Sequence, residues 1–299
     1  MLRLGLCCKF EREPIKFLTA TALHAGRLAP GERARKLAGL CAANAAALGA
    51  ALEYCAANGI GSFRVNSQVL PLATHPELGY DLKKLPGGAG IVKTFEACGA
   101  RARALGLRLT FHPDQFILLS SPNPAVTAAS VRELDYQAQV SEWVGADVIN
   151  IHGGGGYGDK AAALARAGRA LKKLGRAVRS RLAFENDDRI YTPADLLPFC
   201  REYQVPFVYD VHHHRCLPDG LSVEKATALA LKTWGREPLF HVSSPREGWK
   251  SSDPRPHHDY LDIKDFPACW RGLDLTVEVE AKAKELAIKR LRAQLERTK

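Results

Sequence analysis

Short runs of β-branched, aromatic and other apolar residues recur along the chain at positions 2–7, 62–66, 107–112, 148–152, 182–185, 207–211, 239–243 and 273–278. Their length suits strands rather than helices. Between them, apolar residues return with helical spacing over 32–58, 93–105, 125–144, 160–179, 223–234 and 281–295. Two shorter links, 193–203 and 263–270, open near a Pro or Asp and suit one to three helical turns. Eight alternations in 299 residues predict an α/β fold, a (β/α)8 TIM barrel in a single domain spanning 1–299. Periodicity alone leaves an open doubly wound sheet standing as the alternative. The Ala-Gly stretch 40–57 suits a helix packed closely on a barrel wall, and no interdomain linker or low-complexity tail interrupts the pattern. Stretches 70–90, 153–159 and 245–260, rich in Gly, Pro, Ser and charge, are expected as long βα loops on one mouth.

The polar residues that close these runs bring in chemistry. His112, His152, Glu185, Asp210 with His213, His241 and Glu278 all fall at strand ends, and the C-terminal ends of parallel barrel strands share one face. A lone histidine there is more often a hydrogen-bonded structural residue, so the inference rests on the whole set. Imidazole and carboxylate donors, with no thiolate nearby except around Cys7, suit manganese or zinc, and exclude iron less firmly than magnesium. Glu185, in the middle of the barrel order, is expected to bridge two cations. His112 and His152 would complete one ion, and Asp210, His241 and Glu278 its neighbour. His213 and His257 would hold a third. Strand alternation cannot turn all of His212, His213 and His214 inward, so one or two ligate and the rest donate to carboxylates. Asp187 and Asp188 either orient such groups or are solvated turn residues.

Charge extends the picture. Against 32 Asp and Glu stand 42 Lys and Arg, a net charge of +10, and the acidic cluster pushes the basic excess elsewhere. Two or three divalent cations a few ångströms apart suit phosphodiester hydrolysis. Lys9, Arg12, Arg64, Arg189, Arg246, Lys250 and Arg255 fall near strand ends or in βα loops, where they would contact a duplex backbone; ordinary solvated charge is the competing reading for each. Arg64 stands apart because it lies inside a strand. The run Gly153 to Gly156, with Tyr157 and Gly158, lacks the spacing of a P-loop or dinucleotide fold, so no nucleotide cofactor is expected; the glycines are read as a tight turn. Eight cysteines without a CxxC pair or secretory leader suggest reduced thiols in a cytoplasmic protein. No apolar segment reaches the roughly 20 uninterrupted residues of a membrane span. A monomer is expected.

Six stretches carry a resemblance: Phe111 to Phe116, Asn150 to Gly154, Leu182 to Asp187, Val208 to His213, His241 to Ser244 and Glu278 to Lys282. In this order and spacing the chain resembles the ultraviolet damage endonuclease family over about residues 2–290. The resemblance implies a site of up to three manganese-type ions that nicks duplex DNA immediately 5′ to a lesion, leaving 3′-hydroxyl and 5′-phosphate ends. It implies cyclobutane dimers and 6-4 photoproducts as lesions, with abasic sites often accepted. It carries metal roles onto His112, His152, Glu185, Asp210, His213, His241, His257 and Glu278, with catalysis centred on Glu185, Asp210, His241 and Glu278, and adds His75 as a further site histidine. A Gln-Tyr pair that enters the duplex matches Gln115 and Phe116, which keeps the stacking face and loses the hydroxyl. Some members carry a carboxylated lysine two residues before the strand-seven histidine; Leu239 stands there, so that group cannot form. Competing readings are a sugar isomerase of the xylose-isomerase-like barrels, an abasic-site endonuclease of the same superfamily, and a non-enzymatic DNA-binding protein.

Overall fold

The computed structural model describes residues 2–297. Eight parallel strands close a barrel in chain order: β1 (Leu2–Cys7), β2 (Ser62–Val65), β3 (Arg108–Phe111), β4 (Val148–His152), β5 (Leu182–Glu185), β6 (Phe207–Asp210), β7 (Leu239–Val242) and β8 (Leu275–Val279), which pairs back onto β1. The outer ring comprises α1 (Ala22–Gly26), α2 (Pro30–Ala57), α3 (Gly88–Ala104), α4 (Pro124–Val144), α5 (Lys160–Leu171), α6 (Arg176–Arg179), α7 (Pro193–Tyr203), α8 (Val211–Cys216), α9 (Val223–Leu231) and α10 (Lys284–Arg297). Local chemistry fixes several of these ends. Thr192 and Asp195 form a capping box around Pro193 at the start of α7, and α4 opens on an Asn123 cap and closes on left-handed Gly145.

Several boundaries differ from the sequence pattern: α3 starts at Gly88, within the stretch expected as a loop, and β6 gives way to α8 after Asp210. The helical run 160–179 breaks between Leu171 and Arg176, where the chain turns into a cap at Gly175. The link 263–270 forms two 3-10 turns, Ile263–Asp265 and Ala268–Trp270, on either side of Pro267, which has no N–H to continue a helix. Most consequential for the site, β8 starts later than hydrophobicity suggests and ends at Val279, so Glu280 follows directly on its last residue.

Alternation assigns one side chain set to the helices and the other to the barrel interior. Phe63, Phe111, Phe184, Phe207 and Phe240 join the main core outside the sheet; Phe184 meets Phe199 of α7 at 5.2 Å and Phe240 meets Trp270 at 5.2 Å. Inside, Val148, Ala183, Val208 and Leu239 make a small apolar cluster below β4 to β7. The opposite side of the interior is polar: Ser62, Arg64, Thr110, Thr276 and Glu278 are all buried. Barrel interiors are ordinarily filled by branched apolar residues, so this half is built for something other than packing. Gly5 of β1 belongs to the arrangement, since a Cβ there would stand 3.0 Å from Cγ of Glu278. α2 has the length and apolarity of a membrane span, yet its stripe of Leu37, Cys41, Ala45, Leu48, Leu52 and Cys55 is buried against the rest of the protein.

Candidate metal centre

Register brings the strand-end residues together: His152 is paired with Glu185, Asp210 with His241, and His241 with Glu278. Glu185 is fully buried at the centre. One of its oxygens lies 3.0 Å from Nε2 of His112 and also accepts from the Asn150 amide. The other lies 3.0 Å from Nδ1 of His241 and 3.4 Å from Nδ1 of His213. Three sets of donor atoms each fall within 4.8 Å of one another: His112, His152 and Glu185; His112, His241 and Glu280; and Glu185, Asp210 and His213. His112 and Glu185 are shared between sets, so the centre is one connected cluster of nitrogen and oxygen donors, the chemistry that borderline-hard divalent cations prefer.

The electrostatics are those of a site short of positive charge. Burial opposes ionisation of Glu185, but His241 and His152, with hydrogen bonds from His112 and His213, hold its carboxyl well below the usual range. Burial likewise opposes charge on His241, and Glu185 overrides it, pushing the imidazole up to about 10. His213 is raised against burial by Asp210 and Glu185, whereas burial dominates at His152 and lowers it. Among the described residues, Nδ1 of His152 and Oδ2 of Asp210 are buried without a hydrogen-bond partner. Such orphans are costly unless something satisfies them. A divalent cation fits both the orphaned atoms and the donor set.

Glu278 and Arg64 stand deeper in the barrel than the sequence suggests. Glu278 belongs to none of the three donor sets: it is held by Arg64, Thr110 and His241 deeper in the barrel. The carboxylate that joins His112 and His241 is Glu280, which the sequence reading missed. Residues two apart in a strand share a face, so Glu280 carried the same signal as Glu278, one step nearer the mouth. Arg64 is not a mouth residue either. It is buried, donates to Glu278 at 2.5 Å and pairs with Glu280 at 2.7 Å, so its charge is directed at carboxylates of the barrel.

A UV-endonuclease UvdE family model matches residues 2–299. The chain belongs to that family. It is 34% identical over 296 residues to a UV DNA damage endonuclease of Bacillus velezensis, covering 95% of this chain and 89% of the relative. Membership makes it an endonuclease acting on DNA. The crystal structure of SacUVDE superposes with a TM-score of 0.88 at 24% identity, covering 100% of this chain and 99% of the other. A D-psicose 3-epimerase from Clostridium cellulolyticum H10 shares the barrel more loosely, with a TM-score of 0.60 at 13% identity over 99% and 97% of the two chains. Likeness to that epimerase shows the fold alone.

The remaining residues of this UvdE-family endonuclease surround the centre. His212, His213 and His214 lie on α8, not on a strand, because Asp210 caps a helix that starts at once, accepting from the His213 N–H at 2.8 Å. Helical rotation sends only His213 to the cluster. His212 donates to the Arg255 carbonyl at 3.1 Å, and His214 sits between the Tyr209 hydroxyl at 2.7 Å and Asp219 at 2.9 Å. His257 stands 3.7 Å from Glu280 at the outer edge. His75 is placed apart, with Nδ1 accepting from the backbone N–H groups of Glu77 and Leu78. Asp187 also has a local role, accepting from the N–H groups of Arg189, Ile190 and Tyr191.

A cavity of about 570 Å³ opens above the cluster, lined by Gln115, Phe116, His152, Tyr157, Arg189 and His213 among others. Phe116 is 69% exposed on the turn after β3, where the Asp114 carboxylate accepts its N–H. It also lines a second cavity with His75 and Asp114, so the ring forms a rim between two hollows. Tyr157, unremarked in the sequence except as part of the glycine run, is the other exposed aromatic here. Its ring folds back over the glycine run, where a Cβ on Gly155 would meet it at 2.9 Å. Lys9, Arg12, Arg189, Arg246 and Lys250 lie outside the core, and Arg255 is half-buried beside Asp253; all stand on βα loops.

Proposed function

We propose that this endonuclease nicks duplex DNA immediately 5′ to ultraviolet photoproducts, leaving 3′-hydroxyl and 5′-phosphate ends, with cyclobutane dimers and 6-4 photoproducts as lesions and abasic sites as further substrates. The observation that carries this reading is the single donor cluster centred on Glu185, opening into a cavity whose rim is the exposed Phe116. His112, His152, Glu185, Asp210, His213, His241, His257 and Glu280 would hold two or three divalent ions of the manganese type. Ions held there supply activation of water, clamping of phosphate oxygens and stabilisation of the leaving alkoxide.

The chain's own residues position the substrate. Lys9, Arg12, Arg189, Arg246, Lys250 and Arg255 contact the phosphates of either strand and set the register of the duplex. Gln115 and Phe116 enter the helix where a photodimer has already weakened stacking and lowered the cost of distortion. That insertion aligns the phosphate on the 5′ side of the lesion with the Glu185 cluster. The protein acts as a monomer. End-labelled duplexes carrying one cyclobutane dimer, one 6-4 photoproduct or one abasic site test the reading: a cut at the first phosphate 5′ to each lesion, with a 3′ end that a polymerase extends, is expected. Cuts on the 3′ side, or equal cutting of intact duplex, would overturn it.

A further inference from the structure

Glu278 is a buried carboxylate of the barrel interior whose surroundings point away from the donor cluster. Its Oε1 accepts from the Thr110 hydroxyl, and its Oε2 receives Nε of Arg64 at 2.5 Å and faces Nε2 of His241 at 3.1 Å. The opposite edge of the His241 ring faces outward: Nδ1 is 3.0 Å from Glu185 and 3.5 Å from Glu280. His241 thus spans two carboxylate environments, one inside the donor cluster and one in the Arg64 pocket below it. A neutral imidazole carries a single N–H, and the partner on one nitrogen decides which nitrogen is left as a donor of electrons. Arg64 Nη2 also approaches Nε2 at 3.0 Å, but it is engaged by Glu278 and by Glu280 at 2.7 Å.

We infer that Glu278 is a positioning residue rather than a ligand: it accepts the Nε2 proton of His241 and so turns Nδ1 toward the ions, while Arg64 neutralises Glu278 and fixes Glu280 at the mouth. A carboxylate behind a metal-bound histidine is a recurrent arrangement that orients the ring and raises its basicity. Arg64 is then the internal counterion that lets four carboxylates, Glu185, Asp210, Glu278 and Glu280, meet in one barrel before any cation binds. This rests on the reading of the mouth as a divalent-metal site.

The test uses the full chain stripped with chelator and titrated with manganese chloride, comparing the parent with Glu278→Gln, Arg64→Gln and the double variant. Metal content at saturation, manganese affinity by calorimetry and melting temperature of the stripped protein are read together. Glu278→Gln is expected to bind as many manganese ions as the parent but about 10- to 100-fold more weakly. Glu278→Gln leaves Arg64 with Glu280 alone, and Arg64→Gln leaves both carboxylates without their guanidinium, so each single variant lowers the melting temperature, Arg64→Gln by more; the double variant removes Glu278 from that repulsion and recovers part of the loss. Affinity stays low in the double variant, because no carboxylate remains behind His241, whereas a merely structural pair would recover affinity along with stability. Loss of one manganese equivalent in Glu278→Gln would make Glu278 a ligand and overturn the inference, as would parental affinity in that variant. A parent that binds no manganese overturns the metal reading itself, and the inference with it.

Discussion

Replacing Glu185 by Gln keeps the side chain's shape and removes the charge that four histidines surround. Because that carboxylate belongs to two of the three donor sets, its loss should lower nicking by on the order of 100-fold or more and reduce metal content, consistent with the several kcal/mol a cation clamp supplies. Full occupancy with parental nicking would show that Glu185 joins nothing. Titration tests the same residues from another side. In metal-free protein His241 is raised from an unfolded value of about 6.5 to about 10, so its contribution to stability is complete below the unfolded value and fades as pH rises through the folded one. Glu278 is depressed to about 2, by Arg64 and His241 against burial. Its contribution is complete above the unfolded value of about 4.3 and fades as pH falls toward 2. Stripped protein should therefore melt at lower temperature at pH 10 than at pH 7, and more weakly so in a His241→Asn variant. A melting temperature independent of pH over that range in the parent would contradict the ion-pair cluster.

At the scale of elements, the sequence made strand identity clear and strand ends less so. Alternation set Glu278 on the inner face of β8, but Glu280 has the same parity, and only the register of β8 against β7 and β1 decides which one reaches the mouth. Arg64 is a related case: its place inside a strand set it apart from solvated charge, but its partners, Glu278 and Glu280, come from a distant strand and its end. The three consecutive histidines held a usable signal that strand alternation overlooked. Asp210 is a good N-cap, and a helix starting there rotates each successive side chain by about 100°. Loop chemistry was more legible, since the turn after β3 does expose Phe116. Phe116→Ala should lose about 1–3 kcal/mol of binding to dimer-containing duplex, measured by fluorescence anisotropy, while Phe116→Tyr retains it. Equal binding and nicking by Phe116→Ala would assign the wedge to another residue, with Tyr157 across the same cavity the first to test.

For the molecule as a whole, eight strand–helix alternations pointed to a closed barrel because each short strand needs a neighbour on both edges, and the polar half of its interior marks where function displaced packing. The candidate phosphate contacts are now all loop residues, with Arg64 withdrawn from them. Replacing Arg189, Arg246, Lys250 or Arg255 by Gln should weaken damaged and intact duplexes by similar factors and reduce the log-log salt slope by about one for each phosphate no longer neutralised; unchanged slopes in all four would move the footprint to another face. Nicking of irradiated and intact supercoiled plasmid by the same preparation, first stripped of metal and then reloaded with manganese, is the decisive measurement. Conversion of irradiated plasmid to open circles only after reloading, with intact plasmid spared and Glu185→Gln inert, is the expected result. Equal nicking of both plasmids, or undiminished nicking by stripped protein, would contradict a damage-directed metal centre at the barrel mouth.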